Sequence, residues 1–352
     1  MASRVQKKQD KVAHHPLRGR RTKKFRAQRV FSAGVKFHNT GCASLDVILG
    51  GGYAEGRMIN IIGDKSSGKT LLAMEAFANF HFAHPKGDKR YYEAESAWDA
   101  DYIESMGVPV DAITLIDDIE TVEDWEDDFL GWLRDRVKED VEHPALVCID
   151  SWDAFSSKEE MEAKSASVGT YGGGKGKGAS RAFRKACRLM TRARVTLIVV
   201  SQVRDNIGVT FGRKSKRAGG RALDFYASQI IWLAEKGKIF KVIGGVRRAI
   251  GIDVIAKIDK NKVGLPFRQC EMPVFFGYGV DDVAASVIYL REVKADLPKD
   301  RTLKEWDKVG KGTVHTGYTD EEVSDMRDAL TPMVFDAYEK TEVQFLPTRS
   351  KY

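Results

Sequence analysis

Apolar positions along the chain fall into two rhythms. The run at residues 58–62 predicts a buried strand, and residues 71–82 behind it predict a helix, together a βα unit. Further short runs at residues 90–94, 145–149, 196–201 and 229–233 are rich in β-branched or aromatic side chains and predict strands of a largely parallel sheet. Between them Val122, Trp125, Phe129, Leu133 and Val137 recur at helical spacing behind Thr121, an N-cap with Asp124 three residues on, so this stripe is a core face. From residue 238 to 276 the pattern turns to β-type runs, including 250–258 and 270–276, broken by Gly244-Gly245 and by residues 264–266. An antiparallel extension of the sheet is predicted there. Beyond residue 293 the chain is polar, with one helix predicted from Thr319, where Glu322 completes a capping box.

The pattern therefore predicts an α/β protein in three parts: an arm at residues 1–34, a core at 35–292 and a small C-terminal region at 293–352. With 352 residues, 43% of them hydrophobic, the chain can bury a sizeable core without covalent staples. Cys42, Cys148, Cys187 and Cys270 stand singly, which argues against a disulfide framework or a zinc site. No apolar run resembles a signal peptide or a membrane span, so a soluble, cytoplasmic protein without a membrane partner is expected. The net charge of +7 is concentrated in the arm, where Asp10 is the only acid between residues 4 and 29. Such an arm attracts polyanions such as DNA or RNA, and the same composition also describes a solvated tail. No internal repeat is present, and the low-complexity piece is the Gly-rich stretch 169–178.

Chemistry enters at Gly63-Asp64-Lys65-Ser66-Ser67-Gly68-Lys69-Thr70, which matches G-x-x-x-x-G-K-[ST] between a predicted strand and a predicted helix. In that setting backbone amides and the helix start cradle phosphates, Lys69 reaches the β and γ phosphates, and the Thr70 hydroxyl ligates Mg²⁺. The expected cofactors are ATP and Mg²⁺. Asp150, at the end of the strand 145–149, is the expected partner of the metal through water. Hydrolysis also needs a carboxylate for water, and Glu93 and Glu95 end another strand; they are expected on opposite faces, with only one toward the nucleotide. Two stretches look built for nucleic acid. Residues 162–181 combine glycines with Lys164, Lys175, Lys177 and Arg181, and are expected as a flexible cationic loop. Residues 204–221 carry Arg204, Arg213, Lys214, Lys216, Arg217 and Arg221 around Phe211, a basic loop with an aromatic residue to stack on or insert between bases. The bland alternative for both is a solvated surface loop.

Over residues 35–281 the chain resembles the bacterial RecA family of homologous-recombination ATPases. The stretches that carry the resemblance are Gly41-Cys42-Ala43-Ser44-Leu45-Asp46, the loop through Lys69-Thr70, Ala94-Glu95-Ser96-Ala97-Trp98-Asp99, Ile149-Asp150-Ser151, and Gln202-Val203-Arg204. They continue with Ile207-Gly208-Val209-Thr210-Phe211-Gly212, with Gly219-Gly220-Arg221-Ala222-Leu223-Asp224-Phe225-Tyr226, and with Lys260-Asn261-Lys262 and Pro266-Phe267. The resemblance implies that Glu95 positions the attacking water, leaving Glu93 structural, and that Asp99 and Tyr102 contact the adenine. It further implies that Gln202 senses the γ phosphate and relays it to the second DNA loop. Lys260 and Lys262 would reach the nucleotide of the adjacent subunit, and Phe225 would lie at the same interface. Phe211 would contact DNA near the bases and Arg181 would contact a phosphate.

Four features depart from the family. The arm is more basic than the family's polymerisation helix, Asp224 stands where a lysine is usual, the Gly-Lys run at residues 172–178 is extra, and the chain ends without an acidic tail. Such departures fit a divergent, phage-encoded relative. The expected function is an ATP-dependent recombinase that forms helical filaments of its own copies on single-stranded DNA and pairs them with double-stranded DNA. The alternatives are a hexameric motor or repair accessory of the same fold, and a non-catalytic nucleic-acid coat.

Overall fold

The computed structural model describes residues 34–162, 173–205, 215–217 and 222–346. In chain order it begins β1 (Phe37–His38), α1 (Ala43–Leu49), β2 (Tyr53–Ala54), β3 (Met58–Gly63), α2 (Lys69–Ala83), β4 (Asp88–Glu93), α3 (Ala100–Ser105) and β5 (Thr114–Ile116). It continues α4 (Val122–Lys138), β6 (Ala145–Asp150), α5 (Lys158–Glu162), α6 (Gly173–Ala193), β7 (Val195–Asp205), β8 (Ser215–Arg217) and α7 (Ala222–Tyr226). The remainder is β9 (Gln229–Ile243), β10 (Val246–Asn261), β11 (Gln269–Phe275), β12 (Gly279–Val280), α8 (Asp282–Glu292), α9 (Leu303–Val309) and α10 (Asp320–Phe345). Compactness divides the described residues into two units, residues 53–233 and residues 34–52 with 234–346.

In the first unit the strands run in the order β9-β3-β7-β6-β4-β5, and each neighbouring pair is parallel. β3 and β6 are buried along their whole length, as continuous apolar runs of a sheet covered on both faces should be. The register sets Gly63 beside Gln202 and Glu93 beside Asp150, so the carboxyl ends of four strands line up at one edge. That edge is where open parallel sheets bind ligands.

Helices α4 and α6 pack together through Trp125, Phe129, Trp152 and Phe183, with Trp152 and Phe183 rings 4.7 Å apart. On α6 the buried Ala179, Ala182, Phe183 and Ala186 sit at three- and four-residue spacing. This corrects the expectation of a loop at residues 162–181 for its part from 173 on; residues 163–172 lie outside the described residues. The chain is helical from Gly173, because the small apolar face pressed against α4 outweighs the glycines of the first turns. The second basic stretch is likewise not all loop: β8 pairs antiparallel with the end of β7, setting Arg204 opposite Lys216 and Val203 opposite Arg217.

In the second unit β10 and β11 pair antiparallel, with Gly251 opposite Phe275 and Ala256 opposite Cys270, and β12 adds to β11. Asp281 caps α8, and its carboxylate also accepts from the Thr313 hydroxyl at 2.9 Å. The capping box expected at Thr319 and Glu322 is present on α10, and a second, at Thr302 and Glu305, starts α9, which the polar pattern after residue 293 concealed. Among the described residues no helix is long and apolar enough to cross a membrane.

Candidate functional site

β3 delivers the chain at Gly63 to a tight loop, residues 64–68, ahead of α2. Ser66 and Gly68 are left-handed there, with φ of 59° and 84°. A Cβ on Gly63 would collide with the Ser67 hydroxyl and lie 2.7 Å from the Leu233 carbonyl, so the loop closes only on glycine. Ser67 Oγ and Lys69 Nζ both donate to the Asp64 carbonyl, at 2.8 and 2.6 Å, while Asp64, Lys65 and Ser66 are exposed. Gly68 occupies the N-cap of α2 and offers no side chain to the amides of the first turn. Burial lowers the Lys69 pKa below the usual lysine value, and Asp150, Glu95, Asp64 and Asp153 oppose that shift. A glycine cradle, uncapped amides and a buried cation fit the phosphates of a nucleotide.

Thr70 lies in the first turn of α2, and its hydroxyl donates to the carboxylate of Asp150 at the end of β6. Tyr91 Oη donates to Asp150 Oδ2 at 2.7 Å. Burial raises the Asp150 pKa, the bonds from Thr70 and Tyr91 hold it down, and Glu95 and Glu93 add to the rise. A hydroxyl and a carboxylate in contact beside the phosphate loop fit a hard divalent cation.

Glu93 and Glu95 separate cleanly. Glu93 is buried, and its Oε1 accepts from the backbone amides of Glu95 and Ala97 at 2.7 and 3.2 Å, clasping the loop that follows β4. Glu95 is exposed; its Oε1 accepts from Gln202 Nε2 at 2.7 Å and from the Ser151 hydroxyl. The expected reason for their separation is corrected. Residues two apart share a face of a regular strand, so alternation cannot part them. They part because β4 ends at Glu93 and the chain turns through a left-handed Ser96, φ 56°.

Sequence reasoning assigned no role to Ser151, Asp153 or Tyr91. Asp153 Oδ2 accepts from the Gln202 amide at 2.5 Å, so β7 is tied to this edge by backbone as well as side chain. An acid three residues past the Asp150 strand end was the only available signal. Asp99 caps α3, accepting from the Tyr102 amide at 2.9 Å, and is exposed. Tyr102 is half-buried with its hydroxyl unpartnered among the described residues, and burial, then Glu75 and Asp99, pushes its pKa up.

Of the residues expected to meet DNA, Lys177 is exposed on α6, and Arg181 pairs with Glu126 at 2.8 Å. Lys175 lies in the first turn of α6, Arg204 on β7, and Lys216 and Arg217 on β8. Phe211, Arg213, Lys214 and Arg221 lie outside the described residues, as do Lys164 and the arm. Phe225, on the short α7, is 71% exposed beside exposed Asp224. Lys260, the residue before the end of β10, is half-buried and Lys262, just past the strand, is exposed, both in the second unit.

A family model for the RecA N-terminal domain matches residues 24–281. The chain is 33% identical over 246 residues to Protein RecA of Thermus thermophilus, covering 70% of this chain and 68% of the relative. It is 30% identical over 304 residues to Protein RecA of Synechococcus sp. (strain CC9605), covering 85% of this chain and 76% of the relative.

Proposed function

Because the chain belongs to the RecA family of homologous-recombination ATPases, we propose that it is an ATP-dependent recombinase that assembles on single-stranded DNA and pairs it with homologous duplex. The observation that carries this reading is the hydrogen bond from Gln202 Nε2 to Glu95 Oε1, 2.7 Å long. It joins a carboxylate of the nucleotide edge to β7, the strand that runs on into the second basic stretch.

ATP rests in the loop Gly63-Asp64-Lys65-Ser66-Ser67-Gly68, whose amides and Lys69 hold its phosphates. Thr70 would hold Mg²⁺ and Asp150 would hold it through water; the ion, when bound, would supply charge neutralisation at the phosphates. Asp99 and Tyr102 flank the adenine. Glu95 orients the attacking water, and Ser151 and Gln202 fix its carboxylate. With ATP bound, Gln202 would turn from Glu95 toward the γ phosphate, and the change would pass along β7 to the register pair Arg204 and Lys216.

Cationic residue types concentrated on one short ribbon attract an anion. A DNA backbone is such an anion, met by Lys175, Lys177 and Arg181 on one side and by Arg204, Arg213, Lys214, Lys216, Arg217 and Arg221 on the other, with Phe211 at the bases. Lys260 and Lys262 of one copy complete the nucleotide site of the next, and exposed Phe225 belongs to that interface, so copies add into a helical filament. Purified protein with ATP and single-stranded DNA, viewed by negative-stain microscopy and assayed for homologous pairing, tests this. ATP-dependent filaments and paired products are expected. Closed rings without pairing would instead favour the hexameric motor.

A further inference from the structure

The two described ends that flank residues 163–172 are both fastened to the first two turns of one helix, α4. On the leading side the Val122 amide donates to the Ser156 carbonyl and the Ser156 amide to the Glu120 carbonyl, each at 2.9 Å. Lys158, which opens α5, then donates its amide to Glu123 at 3.1 Å and pairs through Nζ with Asp124 at 2.6 Å. On the trailing side Glu126 receives Arg181 and Lys185 of α6, at 2.8 and 2.7 Å. Two carboxylates of α4 thus grip the stem before the Gly-rich stretch, and a third grips the stem after it.

These pairs differ in kind. Lys158 and Asp124 are each about half exposed, the sort of surface pair that contributes little. The Glu126 side chain is only 4% exposed, so its charge must be met by partners. Burial pushes the Glu126 pKa up, yet the bonds from Arg181 and Lys185 outweigh it and hold the carboxyl below its usual range. Geometry sharpens the point. Arg181 Nε donates to Glu126 Oε2 at 2.9 Å and, more weakly, to Oε1 at 3.3 Å, with Nη2 2.8 Å from the same Oε2, a side-on approach that leaves the Nη1 edge outside the pair. The arginine side chain is 49% exposed, so one edge is held by a buried anion while the rest of the group meets solvent.

We propose that Glu126 is the positioning residue of the first basic stretch: it fixes the Arg181 guanidinium, and with it the start of α6, in the orientation in which the outer edge of Arg181 meets a DNA phosphate. This rests on the DNA-dependent reading above. It also gives Glu126 an effect opposite in sign to that of an ordinary acid near DNA. Removing a negative charge from a DNA-binding face should tighten binding by reducing repulsion. Removing a positioning carboxylate should weaken binding, because Arg181 and Lys185 then lose the anion that aims them.

The test is the salt dependence of single-stranded DNA binding, together with DNA stimulation of ATP hydrolysis, in Glu126→Gln, Arg181→Ala and the double variant. Glu126→Gln is expected to weaken binding by roughly tenfold and to lower the salt slope by about 0.7, the share of one phosphate contact on a single strand. Arg181→Ala should do the same, and the double variant should be no worse than either single one. Unchanged or tighter binding in Glu126→Gln, or additive losses in the double variant, would overturn the proposal. Should Glu126→Gln fail to fold, Arg181→Lys carries the test. Lysine keeps the charge but not the fork, so positioning predicts the alanine result and a bare charge contact predicts near wild-type binding. If the wild-type protein itself shows no salt-dependent DNA binding and no stimulation, the DNA-dependent reading fails instead.

Discussion

Both compact units hold carboxylates in hydrogen bonds, and they use them in opposite ways. Asp281 in the second unit is filled by donors of the fold itself: the Ala284 amide at 2.9 Å, the Thr313 hydroxyl at 2.9 Å and the Thr313 amide. It fastens α8 to the turn before α10, and the fold itself takes three of its roughly four lone-pair positions. At the nucleotide edge of the first unit, Asp150 is held by two hydroxyls, Thr70 and Tyr91, and Glu95 by Ser151 and Gln202. Side-chain donors of this kind can turn away when a cation or a phosphate arrives, whereas backbone amides cannot. An acid is therefore structural or functional according to what fills its lone pairs, not according to its burial.

Breaking the contrast at its functional end should give the largest effect. Glu95→Gln is expected to slow ATP hydrolysis by roughly 10²- to 10⁴-fold, as loss of a water-orienting carboxylate does. Glu95 is exposed, so denaturant unfolding should shift by no more than about 0.5 kcal/mol.

The structural end has its own signature in pH. Burial raises Asp46 from 3.8 to about 7, against the opposing hydrogen bonds from Thr40. The native state then keeps a proton that the unfolded chain has already released. Stability is accordingly greatest below the unfolded value and falls as pH rises toward 7, by up to about 4 kcal/mol. Asp46→Asn should flatten that slope in unfolding curves measured from pH 4 to pH 7, and should leave ATP hydrolysis unaltered. Next in size, Asp281→Ala should cost roughly 3 kcal/mol of unfolding free energy, from a lost cap and stranded Thr313 donors, again with ATP hydrolysis unaltered. A loss of turnover without a loss of stability in Asp281→Ala would erase the contrast between the two ends.

Much of the fold was legible because its signals are local. The apolar run ahead of Gly63, the phosphate loop and the capping box at Thr319 each declare themselves within a few residues. The start of α6 was hidden because glycines and lysines read as a loop, while the alanine face that makes it helical matters only once α4 lies beside it. α9 was announced by the same Thr-x-x-Glu spacing, at Thr302 and Glu305, but on a helix too short to show an apolar stripe. At the site, Lys69, Thr70 and Asp150 follow from motif and strand position. The partners of Glu95 do not, because Ser151 and Gln202 lie 56 and 107 residues away in sequence and meet it only through the parallel register of the sheet.

The contact between Glu95 and Gln202 joins the nucleotide edge to β7. The measurement that tests it most directly is the ratio of ATP hydrolysis with single-stranded DNA to that without it, in the wild-type protein and in Gln202→Ala. The account predicts a ratio well above one for the wild type and close to one for the variant. Equal stimulation of both, or none in the wild type, would contradict it.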